Sequence, residues 1–202
     1  MTEFYHDLVT QKSFEFLKEL KRDYDFVLIG GWAVFLYTRA LKSKDVDLIV
    51  DYENLAKMKN DYTVTKNDRL KKYEIKTGQF DVDIYLPHYS ELGIKVEDIV
   101  ESAVTREGFF VPRPEILLLL KIHAWQARVG SAKGQKDEID ILSLAALPEF
   151  DWKNFGVFVS KYSLGSNRQS FIGLLKKTRK VAELGLNEQK MSRLRKEILK
   201  KI

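Results

Sequence analysis

The sequence predicts an α/β protein of the α+β type, in which helices flank a small mixed sheet and a helical C-terminal part follows. Two observations support this class. Short apolar segments typical of strands are interspersed with helix-like segments up to about residue 113, and only helical patterns follow. In addition, 45% of the 202 residues are apolar, which is enough to form a core.

The first part of the chain shows the clearest alternation. Residues 7–22 carry apolar side chains at helical spacing, and residues 26–31 (FVLIGG) read as a buried strand that ends at two glycines. Residues 32–41 are expected to be helical, and residues 45–50 (DVDLIV) to form a second strand. The remaining expected segments are a helix at 51–59, strands at 62–65, 72–77 and 80–87, a short helix or turn at 96–104, and a strand at 108–114.

The rest of the sequence predicts helices only. Residues 114–130 begin with Pro114, a residue favoured at the first position of a helix, and residues 133–147 form a second helical segment. Further helical patterns follow. We therefore expect two domains, a first over residues 1–147 and a basic helical extension over residues 148–202.

Charge is distributed unevenly along the chain, whose net charge is +5. Residues 1–150 hold 21 Lys and Arg against 25 Asp and Glu, whereas residues 151–202 hold 13 against 4. This basic segment indicates either an acidic partner such as nucleic acid or a solvated basic helix, and both interpretations stay open.

Several classes of site and location are disfavoured by composition. The chain has no cysteine, so disulfides and thiolate metal sites are excluded. No apolar run approaches the roughly 20 residues of a membrane-spanning helix, and the first residues do not resemble a secretion signal. We therefore expect a cytoplasmic protein that does not enter a membrane.

Two pairs of aspartates stand out in the strand-like segments. Asp45 and Asp47 are two residues apart, as are Asp81 and Asp83, and residues at that spacing in a strand point to the same side. Carboxylates that converge repel one another unless a cation lies between them. Oxygen ligands of this kind favour a hard divalent cation such as Mg²⁺.

Gly30 and Gly31 lie between the first predicted strand and the following helix. At such a turn, backbone amides can approach a phosphate without obstruction by side chains. Each motif alone is more often a simple turn or a solvent-facing strand edge. Together, the glycine turn and the two carboxylate strands indicate metal-assisted phosphoryl or nucleotidyl transfer.

These segments, LIGGWAV (28–34), KSKDVDLIV (42–50) and FDVDIYLP (80–87), resemble the nucleotidyltransferase superfamily built on the polymerase-β-like minimal fold. A further segment, KDEID (136–140), resembles a helical element of the AbiEii/AbiGii-type toxin nucleotidyltransferases. The resemblance covers roughly residues 24–147. It implies that Gly30 and Gly31 form the glycine turn and that Asp45 and Asp47 are a metal-binding pair.

The resemblance also implies a third metal carboxylate on the 80–87 strand. Asp83 is favoured because an apolar stretch follows it, but Asp81 points to the same side and stays an alternative. Other residues implied to bind the nucleoside triphosphate are Ser43, Lys44, Lys136 and Asp137. The alternative for Lys136 and Asp137 is an exposed, charged helix face.

The resemblance implies transfer of a nucleoside monophosphate from a nucleoside triphosphate to an acceptor, with Mg²⁺ or Mn²⁺ as cofactor and Asp45, Asp47 and Asp83 as catalytic residues. The expected acceptor is RNA, including tRNA, with a small molecule or a protein hydroxyl as alternatives. A toxin of this type would have a cognate antitoxin. A hypothesis of another class is a non-catalytic nucleotide- or RNA-binding module.

Overall fold

The computed structural model describes residues 2–202, with side chains from residue 7 onward. The chain divides into two compact units, Met1–Arg113 and Pro114–Ile202. The first contains a mixed sheet with helices and the second contains helices, so the predicted α/β class with a helical C-terminal part is confirmed.

The first unit begins with a long helix and then combines short strands and short helices. Its helices are α1 (Thr2–Asp23), α2 (Gly30–Thr38), α3 (Tyr52–Asp61) and α4 (Val96–Glu101). Its strands are β1 (Val27–Ile29), β2 (Val46–Ile49), β3 (Val64–Asn67), β4 (Lys72–Lys76), β5 (Asp81–Tyr85), β6 (Ala103–Arg106) and β7 (Phe109–Pro112).

The strands of the first unit form one mixed sheet in the order β3-β4-β5-β2-β1-β7-β6. Strand β2 pairs parallel to β5 and β1 pairs parallel to β7, whereas the other neighbours are antiparallel. The central strands β1, β2 and β5 contribute Leu28, Leu48 and Ile84, which are completely buried. This apolar centre fixes the position of the polar residues on the same strands.

Three local expectations differ from the structure. Helix α2 begins at Gly30 rather than at residue 32, and Asp45 lies just before β2 rather than within it. Strand β6 falls partly in residues 96–104, where we expected only a helix or turn. Its four residues carry little periodic signal, and they form a strand because β7 pairs with them.

The second unit consists of helices α5 (Pro114–Gln126), α6 (Ala132–Ala145), α7 (Trp152–Lys161), α8 (Gly165–Lys177) and α9 (Glu188–Leu199), with a short 3₁₀ turn at Ala182–Leu184. Helix α5 is apolar on most sides because α6, α7 and α8 all pack against it. The compact units thus divide at residue 113/114, while the domain boundary expected at 147/148 stays a prediction. No helix in residues 2–202 has the length and apolar character that crossing a membrane requires.

Gly30 forms the tight turn between β1 and α2 and generates a first prediction. Its φ is +66°, and a Cβ there would lie 2.0 Å from Asp47 Oδ2. Gly30→Ala should therefore lower the free energy of unfolding by about 1–3 kcal/mol, measured by denaturant titration.

Gly156 in α7 provides the matched control, since it is exposed and an added Cβ meets no atom within 4 Å. Gly156→Ala should leave stability unchanged or raise it by up to about 1 kcal/mol. A Gly30→Ala protein as stable as the wild type would contradict the close contact between this turn and the Asp47 side chain.

Asp51 caps α3 and generates a pH-dependent prediction. Its Oδ1 accepts hydrogen bonds from the Asn54 backbone N–H at 2.7 Å and from Asn54 Nδ2 at 3.0 Å, and these bonds lower the pKa of the Asp51 carboxyl. Asp51→Ala should cost about 1 kcal/mol of stability at pH 7. This contribution is present above the ordinary aspartate pKa of about 4 and is lost as the pH falls through the lowered folded-state value.

The measurement is the free energy of unfolding of wild type and variant between pH 3 and pH 7. Asp51→Asn is the matched control, because asparagine caps helices about as well and does not ionise. A stability difference between Asp51→Ala and wild type that is the same at pH 3 and pH 7 would contradict a charged cap.

Candidate functional site

Strand pairing brings two of the predicted carboxylates next to each other. In the parallel β2–β5 ladder Asp47 is in register with Asp83. Residues in register on neighbouring strands project from the same face, and the strands lie about 4.8 Å apart. Asp47 and Asp83 are therefore neighbours on one face of the sheet, whereas periodicity predicts only that the two aspartates of each segment share a side.

Asp81 and Asp45 meet at the start of the same ladder. The backbone N–H of Asp81 donates to Asp45 Oδ1 at 3.3 Å. The Asp81 carboxylate is 44% exposed and pairs with Lys76 at 3.0 Å, whereas Asp83 is 17% exposed. Register with Asp47 and greater burial favour Asp83 as the third carboxylate of a site, although its role stays a prediction.

The glycine turn lies against this face, as the sequence suggested. Ile29 is in register with Asp47 across the antiparallel β1–β2 pair, so the following Gly30 comes into direct proximity to the Asp47 carboxylate. A Cβ on Gly31 would lie 2.7 Å from Ser43 Oγ. The structure thus brings Gly30 to Asp47 and Gly31 to Ser43, with no room for side chains at either glycine.

Ser43 is held in place by a chain of hydrogen bonds. Its Oγ donates to the Asp45 carbonyl at 2.9 Å, and its own carbonyl accepts from Ser13 Oγ at 3.2 Å. Trp32 Nε1 in turn donates to Ser13 Oγ at 3.2 Å. These contacts fix the loop before β2, while the neighbouring Lys44 is exposed. No local pattern in the sequence marks Ser13 as part of this arrangement.

Two residues of β4 that the sequence analysis missed lie beside Asp83, and one of them contacts it. Lys72 Nζ lies 2.6 Å from Asp83 Oδ2 and 2.9 Å from Glu74 Oε1, and Glu74 is in register with Asp83. Lys72 and Glu74 are two apart in a strand and therefore share a face. The alternation in KYEIK was a usable signal, but the adjacency of β4 to β5 was not evident from the sequence.

The second oxygen of Asp83 has a different environment. Within the described side chains, Asp83 Oδ1 is buried and has no hydrogen-bond partner. A buried polar atom without a hydrogen-bond partner is unfavourable in a stable fold, and a bound water or ion is a common partner for such an atom. This oxygen is one position where a ligand would relieve the cost of burial.

Burial dominates the electrostatics of the cluster. It raises the pKa of the Asp83 carboxyl above its ordinary value; Lys72 opposes this rise, and the charges of Glu74 and Asp45 add to it. Burial by itself would lower the pKa of Lys72, but the hydrogen bonds to Asp83 and Glu74 hold it above its usual value. The hydrogen bond from Lys72 lowers the pKa of Glu74. The face therefore carries several carboxylates around one internal ammonium group.

The beginning of α2 supplies a second element suited to an anion. Its N-cap residue, Ile29, makes no side-chain hydrogen bond to the first turn, and the first two helical residues are Gly30 and Gly31. The first N–H groups of a helix lack intrahelical partners and carry a partial positive charge. Phosphate oxygens are suitable partners for such amides.

The carboxylate donors of this face match the predicted metal in chemistry but not in a complete ligand arrangement. Among the described side chains, no group of three or more His, Cys, Asp or Glu is arranged so that it could hold a metal ion. The donors on this face are nevertheless all carboxylate oxygens, and Asp83 offers a buried oxygen without a partner. These properties fit a hard divalent cation, so the three-carboxylate metal site stays a prediction.

Lys136 and Asp137 lie on α6 of the second unit. Lys136 is exposed, whereas Asp137 is buried and accepts hydrogen bonds from Arg128 Nε at 2.5 Å and Nη2 at 3.0 Å. Lys121 lies 3.4 Å from Asp137 and 2.6 Å from Asp140, so it is enclosed in an ion-pair cluster rather than extended to solvent. Asp137 is therefore not part of an exposed, charged helix face, which was the alternative interpretation. The assignments of Lys136 and Asp137 to triphosphate binding stay predictions.

Arg128 was missed by the sequence analysis. It follows α5 in the chain and binds the Asp137 carboxylate through two nitrogens, which orients both groups. Burial raises the pKa of Asp140, although Lys121 opposes this shift. Nothing in the local sequence distinguishes Arg128 from the other basic residues of the chain.

Comparison with known proteins yields similarity at the level of three-dimensional structure only. No protein-family model matches the chain, and no curated protein matches its sequence. The chain is similar to a putative nucleotidyltransferase from H. pylori (15% identity, 96% of each chain, TM-score 0.49) and to JHP933 from Helicobacter pylori (14% identity, 95% of this chain and 94% of that chain, TM-score 0.46).

A further similar structure is an antigenic nucleotidyltransferase-like protein from Paracoccidioides brasiliensis (18% identity, 81% of this chain and 93% of that chain, TM-score 0.40). All three TM-scores are below 0.5, so conclusions about activity depend on the geometry of the site. This chain is similar in structure to nucleotidyltransferase-like proteins.

Proposed function

We propose that the first unit carries the active site of a metal-dependent nucleotidyltransferase. One observation carries the proposal: Asp47 and Asp83 are in register on neighbouring parallel strands, beside a glycine turn without space for a side chain at Gly30. A carboxylate pair next to an amide-rich turn suits the binding of a cation and a phosphate together.

Each residue of the site has a proposed task. Asp45, Asp47 and Asp83 would hold Mg²⁺ or Mn²⁺, which supplies neutralisation of phosphate charge and activation of the acceptor hydroxyl when bound. The amides of Gly30 and Gly31 bind phosphate oxygens, and Ser43 positions the loop that carries Asp45. From the resemblance alone, Lys44 neutralises the triphosphate, whereas the assignments of Lys136 and Asp137, which lie in the second unit, stay separate predictions.

The proposed reaction forms a bond between the acceptor oxygen and the α-phosphorus and breaks the α–β phosphoanhydride bond, which releases pyrophosphate. Asp83 is suited to accept the proton of the acceptor hydroxyl on Oδ1, because that oxygen has no partner among the described residues.

RNA is the acceptor that the charge distribution favours. Residues 151–202 carry nine more Lys and Arg than Asp and Glu. The last turn of α8 and the loop after it hold Lys176, Lys177 and Lys180, all exposed, and such clusters attract phosphates. A small molecule and a protein hydroxyl are the other acceptors, and a toxin role with a cognate antitoxin belongs to the same proposal.

The competing proposal is a non-catalytic module that binds a nucleotide or RNA. The same glycine turn and carboxylates would then hold a nucleoside triphosphate without transferring it. Calorimetry with each nucleoside triphosphate and Mg²⁺, followed by a search for pyrophosphate, distinguishes binding from turnover.

The proposed mechanism predicts loss of transfer in Asp47→Ala. Losing one of the carboxylates that would hold the metal removes the positive charge that neutralises the phosphates, and it should reduce the rate by about 10³-fold or more. The assay incubates the protein with each labelled nucleoside triphosphate and total RNA and measures labelled product.

Circular dichroism and thermal unfolding establish that the variant is folded. Asp81→Asn is the matched control, because this aspartate is on the same face but is more exposed and pairs with Lys76. The control should retain most of the activity. A folded Asp47→Ala protein that transfers at the wild-type rate would reject the mechanism.

The RNA proposal predicts that the lysines at the C-terminal end of α8 and in the loop after it contribute to a salt-dependent affinity for RNA. The triple variant Lys176→Ser, Lys177→Ser, Lys180→Ser should weaken tRNA binding in a gel shift. The slope of log K against log salt should become shallower by about 2, since each phosphate contact contributes about 0.7–0.9.

The control replaces three exposed lysines of the first unit, Lys12, Lys57 and Lys95, by serine. The net charge changes equally in both triple variants. Equal loss of affinity in the two would mean that only overall charge matters, and it would contradict a binding surface in the second unit.

A further inference from the structure

The side chain of Lys72 is a charged group within the proposed active site that the mechanism above does not use. We propose that Lys72 is the internal counter-ion of this site and competes with the divalent cation for Asp83, so that it sets the affinity for the metal. This inference rests on the proposed function, since it concerns the same carboxylates.

The geometry places the ammonium group on a predicted metal ligand. Lys72 Nζ is 2.6 Å from Asp83 Oδ2, a distance typical of a strong charge-assisted hydrogen bond. The Lys72 side chain is 11% exposed and that of Asp83 is 17% exposed, so water screens the contact weakly. An ordinary surface ion pair would lack this burial.

A divalent cation bound to Asp83 would lie within a few ångströms of the Lys72 ammonium group, which is also positively charged. At that distance the repulsion between like charges is substantial, because water is largely excluded from the contact. The metal must therefore bind against this repulsion, or the ammonium group must move away. In both cases Lys72 weakens metal binding.

Glu74 provides the position to which Lys72 can move. Its Oε1 already lies 2.9 Å from Lys72 Nζ, and its side chain is 13% exposed. A small rotation of the long lysine side chain would leave it paired with Glu74 while it releases Asp83. The two carboxylates thus allow transfer of the ammonium group from one partner to the other without leaving it unpaired.

The alternative is that Lys72 only stabilises the sheet. A purely structural ion pair would make the fold less stable when removed but would not increase metal affinity. The sign of the change in metal affinity therefore separates the two roles.

The test measures Mn²⁺ and Mg²⁺ binding by calorimetry, and the metal-dependent rise in melting temperature, in the full chain without nucleotide. Lys72→Met should bind Mn²⁺ about tenfold more tightly than wild type and show a larger rise in melting temperature, because the competing charge is gone. Lys72→Arg keeps the charge and should retain weak, wild-type binding.

Lys76→Met is the matched control, since Lys76 is on the same strand and face but is 55% exposed and pairs with Glu74 and Asp81 rather than Asp83. It should change metal affinity by less than about twofold. If Lys72→Met does not fold, Lys72→Gln takes its place, because it keeps N–H donors and loses the charge.

Unchanged or weaker Mn²⁺ binding in the folded, uncharged Lys72 variant would overturn the inference. If wild type still binds Mn²⁺ and Asp83→Asn does not, the metal site and the proposed function stand despite that result. If neither wild type nor the uncharged variant binds either metal, both the inference and the metal-dependent function fail.

Discussion

The parallel pairing of β2 with β5 is the constraint on which the candidate site depends. It places Asp47 in register with Asp83 at the centre of the sheet, where the apolar residues of the neighbouring positions are buried. A shift of one residue would turn one aspartate to the opposite face and expose apolar side chains to water. The burial of the core therefore also fixes the carboxylates in position.

The same pairing creates an electrostatic conflict within the first unit. Asp83 is mostly buried, one of its oxygens lacks a partner among the described residues, and Glu74 and Asp45 add negative charge nearby. Lys72 relieves only part of this conflict. Such partly satisfied clusters are unfavourable for stability, and they are typical of positions that a ligand completes.

The second unit resolves a similar conflict in another way. Asp137 and Asp140 are buried, but Lys121 and Arg128 contact their carboxylates directly. Breaking such a buried pair leaves an uncompensated charge and is strongly destabilising. The carboxylates of this cluster are thus paired with cations of the same unit. In the first unit, by contrast, one oxygen of Asp83 has no partner among the described residues, and a ligand could bind there.

The sequence by itself determined the fold class, most helices and strands, and the side of each strand on which the aspartates lie. These properties depend on local periodicity and on the conformational freedom of Gly30. Both are encoded within single segments of the sequence. Only the tertiary structure decided that β4 lies beside β5, that Lys72 contacts both Asp83 and Glu74, and that residues 103–106 form a strand. Strand partners and ion pairs depend on contacts between distant segments, and a local pattern of residues does not specify which segments meet.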